Sequence, residues 1–159
     1  MKLAGCIVIV TALLTAEETA TKNVTVKMFA VQATFDERAK ERSYDSDLKA
    51  VKDSLFELKD YNTFRKIEIA SESGPFGKEM SLKIDDRYTL YVTPINRDKV
   101  GRIRLKTRIE EKVEGKPTDN PINALSAESC LVPNDKLLLG GPKLDTGKLV
   151  IVLTVVSQS

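Results

Sequence analysis

The sequence predicts an α+β fold dominated by antiparallel sheet: a sandwich or curled sheet of seven or eight strands, with one amphipathic helix near 46–59 packed across it. Three observations carry that expectation. From Thr63 onward apolar and polar residues alternate with a period of two, the spacing of a half-buried strand. Only one stretch of the mature chain has convincing helical spacing, with Leu48, Val51, Leu55 and Leu58 three, four and three residues apart. Finally, the segments 28–31 and 149–156 are apolar on both faces, so each needs cover on both sides.

The chain opens MKLAGCIVIVTALLTAEE. One cation, Lys2, precedes an apolar run from Leu3 to Leu14 that only Gly5, Cys6 and Thr11 interrupt, and Glu17 and Glu18 end it. That order belongs to a secretory signal. Spanning a bilayer takes roughly 20 apolar residues, and this run is shorter. Residues 1–16 are therefore expected to be a signal peptide removed after Ala16; the alternative is an uncleaved N-terminal anchor, the one route to membrane contact that the sequence offers. Leu3-Ala4-Gly5-Cys6 has the local look of a lipoprotein cleavage box, but the apolar run follows the cysteine instead of preceding it, so lipidation of Cys6 is not expected. Export, to the periplasm or cell envelope, is the compartment this implies.

The remainder, 23–157, reads as a single domain, without internal repeat or low-complexity tract. NVTVKMFAVQATF is rich in β-branched and aromatic residues and predicts a first strand over 23–35. DERAKERSYDSD breaks that pattern with charge, and Asp45 or Ser46 is placed to cap the helix. TFRKIEIAS predicts a strand ended by the turn ESGPFG, and KEMSLKI puts Met80, Leu82 and Ile84 on one face. Asp85-Asp86 separates it from RYTLYVTP by the length of a tight hairpin. In VGRIRLKTRIEEK, Ile103, Leu105 and Ile109 point one way and Arg102, Arg104, Lys106 and Arg108 the other. EGKPTDNP is a loop by composition, and three strand candidates follow it. Gly140-Gly141-Pro142 is expected to bend the chain as the loop of a wide hairpin, serving as a corner or as an interaction loop. The first and last strands share the two-sided apolar character, which suggests that they are neighbours.

The chemistry is bounded mainly by what is missing. The chain has no histidine, which removes the usual general base, the Ser-His and Cys-His nucleophile pairs and the commonest zinc ligand. Without residues 1–16 a single thiol remains, Cys130, so no internal disulfide or thiolate cluster can form; burial is expected for it. Neither GPFG nor LGGPKL has the spacing of a nucleotide loop. Asp45, Asp47, Asp85 and Asp86 read as capping and turn residues rather than cation ligands. No catalytic residue, metal or cofactor is therefore assigned. The net charge is +2 for the whole chain, and +1 once Lys2 is removed, which leaves 24 cations against 23 acids. A balance that close to neutral suggests neither nucleic acid nor an anionic membrane as a partner.

The most distinctive polar feature is the row Arg102, Arg104, Lys106, Arg108, with side chains about 7 Å apart on one strand face. Such a row could bind an anionic polymer or an acidic protein surface. Its blander reading is a solvated face neutralised by acids on the next strand.

An apolar strand into GGPKL, a short polar loop with Gly147 and the long strand KLVIVLTVV resemble the end of small exported β-rich bacterial proteins whose role is uncharacterised. In those proteins a helix like DLKAVKDSLFELKDYNTFRKI precedes strands like RYTLYVTPINRDKVGRIRLKTRI, and the similarity runs roughly from Asp47 to Val156. The hairpin is also similar to the closing strands of outer-membrane secretins. The resemblance implies export and a compact β fold, and it carries over no catalytic residue. The expected function is a non-catalytic accessory or structural subunit that docks onto a larger protein assembly in the cell envelope. The alternative is a small binding module for an anionic ligand or polymer through the basic strand face.

Overall fold

The computed structural model describes residues 22–115 and 122–157. In chain order they form β1 (Asn23–Thr34), β2 (Ser43–Tyr44), a 3-10 turn (Ser46–Val51) running into α1 (Lys52–Phe56), β3 (Thr63–Pro75), β4 (Met80–Lys83), β5 (Tyr88–Arg97), β6 (Ile103–Glu111), β7 (Ile122–Leu131), β8 (Lys136–Lys143) and β9 (Lys148–Ser157). They build two sheets, one of order β2-β3-β1-β9-β8 and one of order β4-β5-β6-β7. All pairings are antiparallel except that of the two-residue β2 with β3. No helix among the described residues is long and apolar enough to cross a membrane.

Alternation along β1 decides the layering. Val24, Val26, Met28 and Ala30 enter a core shared with Leu82, Leu90, Val92, Ile103, Leu105 and Ile109 of the four-stranded sheet. Phe29, Val31 and Ala33 point the other way, into a second core with Leu48, Val51, Leu55 and Phe64. β9 does the same, sending Ile151, Leu153 and Val155 inward and Val150 and Val152 outward. The two strands that are apolar on both faces are indeed neighbours, in register from Val24 opposite Ser157 to Ala33 opposite Lys148. Helix, five-stranded sheet and four-stranded sheet thus stack as three layers, the central one holding the two strands that bury apolar side chains on both faces.

Several expectations need correction. The helical segment is shorter than 46–59: its first half is 3-10 and α1 ends at Phe56. Asp45 sits at the N-cap position but makes no side-chain cap. Its backbone N–H goes to Phe64 O, and its Oδ2 accepts the Lys66 N–H at 2.8 Å. The carboxylate therefore extends the short β2–β3 ladder by one step. β3 continues through Glu72 to Pro75, past the predicted turn, because Ser73, Gly74 and Pro75 find partners in Thr25, Val24 and Asn23. Gly140, Gly141 and Pro142 lie inside β8 and not in a hairpin loop; they form an irregularity between the Gly140–Val150 and Lys143–Lys148 pairs. A Cβ on Gly141 would stand 2.9 Å from the Leu149 carbonyl oxygen, so glycine is demanded by close approach of the next strand. The hairpin reverses over 144–147, closed by Leu144 N–H to Gly147 O at 3.0 Å. There φ at Gly147 is +79°, and a Cβ would come within 2.2 Å of Ala33 O.

The tight hairpin at Asp85-Asp86 is present between β4 and β5. Asp85 Oδ1 accepts the N–H groups of Arg87 (2.8 Å) and Tyr88 (2.7 Å), the bonding by which an aspartate sets a turn. Asp86 pairs with Lys83, whose hydrogen bond holds the Asp86 carboxyl below its ordinary range.

Candidate interaction surface on the four-stranded sheet

Because Ile103, Leu105, Thr107 and Ile109 of β6 face the core, Arg104, Lys106 and Arg108 must face outward. Thr107, buried among them, donates its hydroxyl to Ala127 O at 3.3 Å. Arg102 is not part of the strand. It closes the β5–β6 turn, where Asp98 Oδ1 accepts the N–H groups of Val100 and Arg102 and Oδ2 accepts Arg102 Nε at 2.7 Å. This side-chain bond is the largest of the effects that lower Asp98 from its ordinary value, and it raises Arg102 in return. The expected row of four therefore comprises three residues of a strand and one of a turn.

Each arginine has an acidic partner. Arg104 Nη2 donates to Glu128 at 2.8 Å, a diagonal pair, since Arg104 stands directly opposite Cys130 and Lys106 opposite Glu128. The bond to Glu128 raises Arg104 above its ordinary value. Arg108 binds both oxygens of Glu79, at 2.8 and 3.2 Å, pairs with Glu110 and lies over the Tyr91 ring at 4.1 Å. Only Lys106 of the row is without an ion pair among the described residues. Three of the four cations thus meet four acids, Asp98, Glu128, Glu79 and Glu110, which leaves little field for an anionic ligand.

Cys130 is exposed, against expectation. Leu131, next in sequence, is buried opposite Ile103, and the pleat then turns the thiol to the outer face. It lines a shallow depression with Asn96, Asp98, Arg104, Glu128 and Ser129. Among the described residues no group of three or more Cys, Asp or Glu side chains could hold a metal ion.

The feature that residue-by-residue reading missed is the free edge. β7 ends the four-stranded sheet and spans ten residues, INALSAESCL, with one charge, Glu128, and neither lysine, arginine nor proline. The other terminal strands are guarded. β2 has two residues; β4 has four and ends in Lys83; β8 is interrupted at Gly140–Pro142 and flanked by Lys136 and Lys143. The part of β3 that β2 does not reach carries Glu68 and Glu72. Short length, charge, proline and bulges are the usual means of discouraging edge pairing; β7 has one charge and one irregularity, at Ala124 between the Asn123 and Leu125 pairs, which leaves Leu125–Leu131 in unbroken register.

Compared with protein-family models, with curated proteins and with solved structures, the chain matches none.

Proposed function

We propose that the protein is a non-catalytic subunit of the cell envelope that docks onto a larger protein assembly by accepting a partner's strand along β7. The observation that carries this reading is the contrast between the regular, nearly uncharged stretch Leu125–Leu131 of β7 and the other sheet edges, each short, broken or charged. Strand addition takes affinity from main-chain hydrogen bonds and specificity from alternate side chains, so it needs no catalytic group. Ser126, Glu128 and Cys130 would present one face of the added strand's surroundings, and Leu125, Ala127 and Ser129 the other. Ion pairing across the neighbouring face makes the anionic-ligand reading the weaker of the two.

The test is a mild-detergent isolation of the full chain from its source cells, with hydrogen exchange measured on the complex. Partners at fixed stoichiometry and slowed exchange of the β7 amides are expected. Ser126→Lys, at an exposed position of the free edge, should lose the partner, whereas Lys106→Ser on the adjacent strand should keep it. β7 amides exchanging alike in complex and isolated chain, or a partner retained by Ser126→Lys, would overturn the proposal.

A further inference from the structure

We propose that one end of the sandwich, the end at which β1 begins, rests on an anionic lipid bilayer. Strand register fixes which turns share that end. Asn23 stands opposite Pro75 and Val24 opposite Ser157, while Ile103 stands opposite both Arg97 and Leu131. Asn134 donates its N–H to Val155 O at 2.8 Å, and Gly77 to Pro94 O at 2.7 Å. The start of β1 and the turns 76–79, 98–102 and 132–135 therefore lie together. The far end gathers 35–42, 57–62, 84–87, 112–115 and 144–147, where Arg87 and Asp145 pair at 3.8 Å across the two sheets.

The two ends differ in charge. Lys22, Lys78, Arg97, Lys99 and Arg102 at the first meet three acids, Glu79, Asp98 and Asp135, whereas the far-end loops hold nine acids against six cations. Glu79 and Asp98 are moreover committed to Arg108 and Arg102. Lys22, Lys78, Arg97 and Lys99 are exposed and without ion pairs among the described residues, and Asp135 is the one acid at that end left unpaired.

Between the cations stand isolated apolar side chains on separate turns and a strand end: Val100 at the β5–β6 tip is 75% exposed, Val132 46% and Val156 42%. The far end also exposes Phe35 and Phe56, but Asp36, Glu37 and Glu57 follow them in sequence and Arg42 covers the Phe56 ring at 4.8 Å. Single apolar tips flanked by cations suit shallow entry into a headgroup layer better than they suit a protein partner, which would need a continuous patch. Sheet edges, β7 included, would then stand away from the membrane.

The test compares hydrogen exchange of the full chain with vesicles of phosphatidylcholine alone and with vesicles one-third phosphatidylglycerol. Anionic vesicles should slow exchange at 76–79, 98–102 and 132–135 and leave 35–42 and 144–147 unchanged. The exposed double variant Arg97→Gln, Lys99→Gln should shrink the difference between the two vesicle types and bind the anionic ones roughly 25-fold more weakly, about fivefold for each cation lost. Equal exchange with both vesicle types, or protection of the far end, would overturn the proposal. Binding to soluble polyglutamate without binding to anionic vesicles would overturn it in favour of an acidic protein partner. Neither outcome bears on the β7 edge, which is tested by partner loss.

Discussion

The outer faces of the two sheets are built on different physics. On the five-stranded sheet the helical segment covers Phe29, Val31, Ala33, Val150 and Val152, so that face is held by apolar burial. On the four-stranded sheet the outer face stays wet, and Arg104, Arg108 and their acidic partners lie across it in exposed or half-exposed pairs. Burial of that kind stabilises by roughly 25 cal/mol per Å² removed from water. An exposed ion pair contributes at most about 1 kcal/mol. The difference teaches that one outer face is structural and the other is free to be used.

Three substitutions sharpen or break that comparison. Largest should be Phe64→Ala: the ring is 1% exposed and stacks on Tyr44 at 4.9 Å, so its loss should cost about 3–5 kcal/mol in denaturant unfolding. A cost below about 1 kcal/mol would mean that the covered face does not carry the load assigned to it. Next is Tyr44→Phe. The Tyr44 hydroxyl is buried without a hydrogen-bond partner among the described residues, so removing it should raise stability by about 1 kcal/mol, and a loss of stability would show that the oxygen has a partner in solution.

The smallest effect is expected on the wet sheet, at Asp98. The Arg102 hydrogen bond lowers its carboxyl in the folded state, so its contribution is present in full above the ordinary carboxylate range and is lost as pH falls through the lowered native value. Between about pH 5 and about pH 2, wild type should therefore lose slightly more stability than Asp98→Asn. Parallel pH profiles would sever the link between the turn and that pair.

Much of this architecture was legible in local pattern. Alternation in β6 put Ile103, Leu105 and Ile109 inside, and the spacing of Leu48, Val51 and Leu55 placed a helical stripe that the structure buries. The aspartate turn at Asp85 was legible too, because its hydrogen bonds reach only two and three residues. The reading failed wherever a distant strand decided the outcome. Cys130 looked buriable on residue type, yet its side was set by Leu131 meeting Ile103 across the ladder. Gly141 looked like a loop residue, but Leu149 passing within contact distance is what demands it.

The candidate surface divides along the same line. The row of cations could be read from the sequence, but two of the four acids that neutralise it, Glu128 and Glu79, sit 24 and 29 residues away. That β7 is a terminal strand has no local signal whatever, since INALSAESCL would read the same in the middle of a sheet.

By itself, then, the sequence determined the strand-rich class, the two-sided central strands, the single helical stripe and the absence of histidine chemistry. Each follows from side-chain type and from periods of two or nearly four residues. Only the tertiary structure decided which edge is free, which turns share an end with the start of β1 and which cations are already paired. Those properties belong to pairings between residues far apart in the chain, and register is a relation between two strands that neither carries alone.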